Sequence, residues 1–181
     1  MIRLFVGLEL PEDMRQRLAG LCNGVPGARW VRPESLHLTV RFIGEVDGGR
    51  FEDIHMALSR IKAPALELTL EGVSTFGKAS TPHTLWVGVQ RNETLNALHG
   101  KVDRALVTAG LEPESRKYSP HVTLARLKEA ARLRLGTFVS AHSLFRAGPA
   151  PIDQFVLFSS FLSRSGAIYK PEIHYPLAGG P

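Results

Sequence analysis

Cysteine is almost missing from this chain of 181 residues: Cys22 is the only one. An intrachain disulfide is therefore impossible and a cysteine-built zinc site is excluded, which agrees with a reducing compartment. No uninterrupted apolar run reaches the length of a membrane span. The opening MIRLFVGLELPEDM turns acidic at Glu9, Glu12 and Asp13 without the long apolar stretch or small-residue cleavage site of a secretory signal. We expect a cytoplasmic protein with no membrane partner. The glycine patterns of phosphate loops and dinucleotide folds are absent too, so nothing supports a nucleotide cofactor.

What is present is an ordinary core-forming composition, 44% hydrophobic and 22% charged, sized for one domain spanning 1–181. The net charge of +5 is unevenly spread. Residues 1–90 balance ten basic against ten acidic groups, whereas residues 91–181 carry twelve against seven. Sixteen of the 22 basic residues are arginine, suited to two-pronged contact with phosphate, so an anionic partner and a solvated basic face are both open readings.

Periodicity predicts a strand over 4–10, and a helix starting at Pro11 with Met14, Leu18 and Leu21 on one face. After a loop at 24–27 come a strand over 35–43, a helical stripe of Phe51, Ile54, Leu58 and Ile61, and a strand over 66–73. A loop at 77–82 follows. The same order then returns: a strand over 84–89, a helix with Leu95, Leu98, Val102 and Leu106 stopped by Gly110, a strand over 119–127, a weaker helix over 129–142, a loop at 148–151 and a strand over 153–160. A last strand occupies about 168–177. The halves, about 1–80 and 81–181, read as a diverged duplication arranged as two facing lobes.

The third element of each half carries one signature, Leu36-His37-Leu38-Thr39-Val40 and Pro120-His121-Val122-Thr123-Leu124, 84 residues apart. Chance would place His-x-Thr about 0.35 times in a chain of this composition. Alternation along a strand aims each His and its Thr at one face while the apolar neighbours enter the core. Two imidazoles and two hydroxyls in one cleft suit phosphodiester cleavage by acid–base chemistry: one His deprotonates the attacking oxygen, the other protonates the leaving oxygen, and the hydroxyls hold the phosphate oxygens. A zinc site would need a third ligand, and none stands at helical or hairpin spacing beside either motif.

The two His-x-Thr tetrapeptides resemble the paired motifs of the two-histidine phosphoesterase superfamily. Arg3-Leu4-Phe5-Val6, Glu9-Leu10-Pro11, Ala28-Arg29-Trp30-Val31, Arg41-Phe42-Ile43-Gly44-Glu45 and Tyr118-Ser119-Pro120 through Ala125-Arg126 are similar to the LigT-like RNA 2',3'-cyclic phosphodiesterases, formerly 2'-5' RNA ligases. The resemblance implies an α+β, bilobal fold, two antiparallel-sheet lobes with flanking helices around a central cleft. It implies hydrolysis of RNA 2',3'-cyclic phosphate ends to 2'-phosphates without a metal or other cofactor. His37 then inherits the proton donor's role, His121 the acceptor's, and Thr39, Thr123 and Arg126 hold phosphate. The substrate would be an RNA end or a small cyclic nucleotide. One chain carries both motifs, so a monomer suffices. Ligation, with an RNA 5'-hydroxyl in place of water, and binding of an RNA end without turnover are the alternatives.

Strict alternation points Arg126 at the core, so reaching the cleft requires a bulge near Ala125. Arg41 has the parity of His37 and Thr39, which makes it either a further phosphate contact or a solvent-facing residue. Trp30 and Tyr118, just before the motif strands, could stack on a base or serve in packing, Trp30 in the core or at the rim. Trp86 reads as core, Cys22 as a small core residue, and His55, His83, His99, His142 and His174 as structural or solvated. The basic run Arg126, Lys128, Arg132 and Arg134 could follow an RNA backbone or face water.

Overall fold

A computed structural model describes residues 1–128 and 132–178. The chain runs β1 (Ile2–Glu9), α1 (Glu12–Ala19), β2 (Ala28–Trp30), a 3₁₀ turn at Pro33–Ser35, β3 (His37–Val46), α2 (Gly48–Ser59), β4 (Leu66–Lys78), β5 (Thr81–Val89), α3 (Glu93–Thr108), β6 (His121–Leu127), α4 (Arg132–Ala141), β7 (Arg146–Ile152), β8 (Gln154–Ser163) and β9 (Gly166–Pro176). Residues 129–131 of the expected fourth helix lie outside the described residues. No described helix is long and apolar enough to cross a membrane.

The strands form two antiparallel sheets, ordered β3-β1-β8-β9 and β2-β6-β5-β4-β7. A lobe is therefore not half of the chain, which corrects the simplest picture of the duplication. The closing strand expected for each half lies in the other sheet: β4 is apart from β1 and β3, and β8 is apart from β5 and β6. Two further strands escape the sequence pattern. Ala28–Trp30 is too short to show alternation, and the expected loop at 148–151 lies inside β7, whose Pro149 and Pro151 are tolerated because β7 is an edge strand.

The helices close the back of the sheets through the stripes that predicted them. Met14 and Leu18 of α1, Ile54 and Leu58 of α2, and Leu95, Leu98, Val102 and Leu106 of α3 are all buried. Caps fix where two of these helices begin: the Asp47 side chain accepts from the Arg50 N–H, and that of Asn92 accepts from the Leu95 N–H. Cys22 behaves as a core residue, its thiol donating to the Leu18 carbonyl at 3.4 Å and pushed up to about 11 by burial.

The central strands are covered on both faces. Leu4, Val6 and Leu8 of β1 and Phe155 and Leu157 of β8 enter the main core, while Phe5, Val156 and Phe158 form a second apolar cluster with Tyr169 on the opposite face. That second cluster floors the cleft. In the other sheet Gly88 of β5 pairs with His121, and a Cβ there would come within 2.9 Å of the Glu71 carbonyl and 3.3 Å of the Trp86 ring. A Gly88→Ala variant should lose about 1–3 kcal/mol in urea denaturation, because the β4 backbone has to move to admit the methyl. An unchanged midpoint would show that the strand spacing there is slack.

Candidate active site

Both motif histidines are set by the same local device. His37 Nδ1 lies 2.8 Å from the Ser35 carbonyl oxygen, and His121 Nδ1 lies 2.8 Å from that of Ser119. A carbonyl only accepts, so each Nδ1 carries its hydrogen and each Nε2 is left to exchange a proton. The preceding residues make these carbonyls available. Ser35 ends a 3₁₀ turn opened by Pro33, and Ser119 precedes Pro120, which biases it to extended backbone.

Each imidazole rests on two aromatic rings from the neighbouring strands. His37 sits 4.9 Å from Phe5 and 6.1 Å from Phe158, with Tyr169 edge-on at 4.8 Å. His121 sits 5.9 Å from Trp86 and 4.8 Å from Phe76, which meets it edge-on. Burial against these rings lowers the pKa of both histidines from the ordinary imidazole value. The carbonyl hydrogen bonds oppose that effect. The charge of His121 lowers His37 further, and the charge of Arg126 lowers His121 further. The two histidines, from different sheets, thus share one electrostatic environment.

Thr39 Oγ1 is 3.0 Å from His37 Nε2 and donates to it when the ring is neutral. Thr123 holds the matching position beside His121, opposite Trp86 in the β5–β6 ladder.

Paired bulges set the direction of the side chains beyond each motif. Opposite β3, Val6 pairs with Arg41 and Gly7 with Thr39, leaving Val40 as the extra residue. Opposite β6, Leu85 pairs with Ala125 and Trp86 with Thr123, leaving Leu124 extra. Two consecutive side chains are consequently buried in each strand, Val40 with Arg41 and Leu124 with Ala125, and the alternation inverts. Arg126 emerges exposed, with Nη1 donating to Thr84 Oγ1 at 3.0 Å. Its charge is felt by both His121 and Tyr169, so the guanidinium stands between the sheets. The irregularity that Arg126 requires is present.

The same inversion removes Arg41 from the cleft and corrects its candidacy as a phosphate contact. Its side chain is 9% exposed and turned to the back of the sheet, where Nε donates to Asp103 Oδ1 at 2.8 Å and Nη2 to the Glu112 carbonyl at 2.6 Å. Burial raises the pKa of Asp103, but hydrogen bonds from Arg41 and the Glu114 N–H, with the Arg41 charge, hold it below the usual carboxylate range. Tyr118 and Trp30 are likewise packing residues. The Tyr118 hydroxyl donates to the Thr39 carbonyl at 2.9 Å while its ring stacks on His99 at 4.0 Å, and burial pushes its pKa up. Trp30 pairs with the buried Ala125, on the core side, and packs against Phe138 of α4 at 6.0 Å.

Two cleft residues escape the sequence reading. Trp86, read as core, supports His121. Phe42, 84 residues before Arg126, is its counterpart after the bulge and is 65% exposed, 6.1 Å from Phe5. The duplication offset is the signal that points to Phe42. The other histidines lie elsewhere, with His55 on the Tyr175 hydroxyl at 3.0 Å, His142 against Phe138 at 4.5 Å and His174 on Glu9 at 2.6 Å. His83 contacts the Thr84 hydroxyl at 2.8 Å, behind Arg126. Among the described residues no three His, Cys, Asp or Glu side chains are grouped to hold a metal ion.

Comparison with known proteins agrees with this geometry. The family model described as LigT like phosphoesterase matches twice, over residues 8–86 and 87–169, one match for each half. The RNA 2',3'-cyclic phosphodiesterase of Aeropyrum pernix is 34% identical over 150 residues, covering 82% of this chain and 85% of that one. The enzyme of the same name from Archaeoglobus fulgidus is 28% identical over 172 residues, covering 93% and 97%. Among solved structures, a Thermus thermophilus protein superposes with a TM-score of 0.79 at 26% identity over 98% of both chains. E. coli LigT bound to 3'-AMP superposes with a TM-score of 0.79 at 23% identity, covering 97% of this chain and 98% of that one, and so shares the fold.

Because Arg41 ties β3 to α3 instead of binding phosphate, Arg41→Ala should cost stability first. Stranding Asp103 should lower the unfolding free energy by about 2–4 kcal/mol, with terminal-phosphate affinity of the folded fraction unchanged. Loss of phosphate affinity at unchanged stability would return Arg41 to the site.

Proposed function

Since the chain belongs to the LigT-like phosphoesterase family, we propose that it hydrolyses RNA 2',3'-cyclic phosphate ends to 2'-phosphates, with two histidines as acid and base and no metal. The observation that carries this reading is the pair of carbonyl-held imidazoles, each with its Nδ1–H committed to a carbonyl two residues earlier, with Thr39 Oγ1 beside His37 Nε2. The relatives' names supply the substrate class.

In the proposed reaction His121, neutral through its lowered pKa, takes a proton from water as the water oxygen attacks phosphorus. The bond from phosphorus to the 3'-oxygen breaks, and His37 Nε2 delivers a proton to that oxygen. The 2'-phosphate remains. Thr39, Thr123 and Arg126 hold the non-bridging oxygens as their charge grows. Burial lowers the pKa of His37, and the anionic phosphate opposes that shift, favouring the protonated acid beside the leaving oxygen. Exposed Phe42, opposite Arg126 in the duplication, offers a face for the terminal base.

The test is a short RNA with a 2',3'-cyclic phosphate end, incubated with protein in excess chelator, with the terminal product identified beside His37→Ala and His121→Ala. The expected product is a 2'-phosphate, with each variant slowed by about 10²–10⁴. The pH profile of kcat/KM should be bell-shaped. In Arg126→Gln its acid limb should move to higher pH, because removing that charge raises the pKa of the base. A 3'-phosphate product, loss of turnover in chelator restored by zinc, or an unmoved limb would contradict this mechanism.

A further inference from the structure

The cleft holds more positive charge than one terminal phosphate needs. β2 is a three-residue strand whose only sheet neighbour is β6, and in that ladder Arg29 stands directly opposite Arg126. Directly paired residues point to the same face, so Arg29, Arg126 and Thr84 form one row across β2, β6 and β5. Both arginines are exposed. Like charges placed opposite one another repel, and no carboxylate among the described residues lies within ion-pair distance of either. The Arg126 side chain is anchored by Thr84, while the Arg29 side chain has no hydrogen-bond partner among the described residues. Arg29 differs in this from Arg3, Arg41, Arg91 and Arg146, which pair with Glu45, Asp103, Glu93 and Glu71. Lys128, Arg132 and Arg134, the next basic residues along the chain, are also exposed and without a carboxylate partner among the described residues.

We propose that Arg29 binds the phosphodiester joining the terminal nucleotide to the rest of an RNA strand, next to the terminal phosphate held by Arg126. Neighbouring strands lie about 4.8 Å apart, so two long guanidinium side chains rising from them can take successive phosphates of one strand. The seat resolves the repulsion between the two arginines with the anion that the row attracts. It makes the protein a reader of oligonucleotides, since a cyclic mononucleotide has nothing to place on Arg29. This inference rests on the RNA-end reading for the position of the terminal phosphate, but its readout is binding and not turnover.

The experiment compares two probes, a fluorescent five-nucleotide RNA ending in a 2'-phosphate and a nucleoside 2'-phosphate competing for the same cleft, across a salt series. Arg29→Gln should weaken the RNA about tenfold and the nucleoside phosphate less than twofold, and the slope of log K against log salt should fall by about one. Arg29→Lys should keep most of the affinity and the slope. Arg91→Gln, which removes an equal charge from a remote pair, should change neither. Equal weakening of both probes, no weakening of the RNA, or an Arg29→Lys variant as weak as Arg29→Gln would overturn the proposal. If the protein failed to open a cyclic end while these binding differences persisted, the reaction would be wrong and the seat right.

Discussion

Two hydrogen bonds from imidazole Nδ1 to a carbonyl oxygen two residues earlier govern the chemistry available to this fold. They leave both proton-exchanging nitrogens on the cleft side and orient each ring about its own strand. Neither bond would suffice alone, because a free histidine side chain samples several rotamers. The rings beneath complete the constraint: Phe5 and Phe158 under His37, Trp86 and Phe76 beside His121. That packing has an electrostatic consequence, since the same burial that fixes the rings disfavours their charged forms. Rigid placement and lowered pKa are one physical effect seen twice.

The bulges after Thr39 and Thr123 are the second shared constraint. One extra residue in each strand turns the next long side chain by half a period, so a core position and a cleft position exchange. Arg126 gains the cleft and Arg41 loses it for the same reason. Arg41 becomes a tie between β3 and α3, and Tyr118 adds a second tie from the loop before β6 to the Thr39 carbonyl. These contacts brace the two motif strands and hold the Arg41 and Tyr118 side chains in packing contacts. The duplication is used unequally: the position that holds Arg126 after the second motif holds the exposed Phe42 after the first.

Much of this is legible without coordinates. The strand and helix order, the repeat, the two histidines and the threonines follow from alternation and from the 84-residue offset, because regular elements with one buried face write their period into the sequence. Arg126 stands as a candidate only by postulating a bulge, and the ladder shows one. Arg41 misleads because a bulge leaves no mark in the pattern of apolar and polar residues around it. Trp30 and Tyr118 are ambiguous for another reason: whether an aromatic residue faces a cleft or a core depends on pairing partners that the local sequence does not contain. The crossing of β4 and β8 between sheets is equally silent in sequence. It depends on which edges remain open once β1 has paired with β3 and β5 with β6.

The division of labour between the two histidines is the central claim, and it can be tested without relying on symmetry. A cyclic-phosphate substrate with sulfur in place of the bridging 3'-oxygen expels a thiolate that needs no proton. On that substrate His37→Ala should recover most of the wild-type rate, while His121→Ala should remain as slow as on the oxygen substrate. Recovery of His121→Ala, or equal slowness of both variants with sulfur, would contradict the assignment of His37 as the acid and His121 as the base.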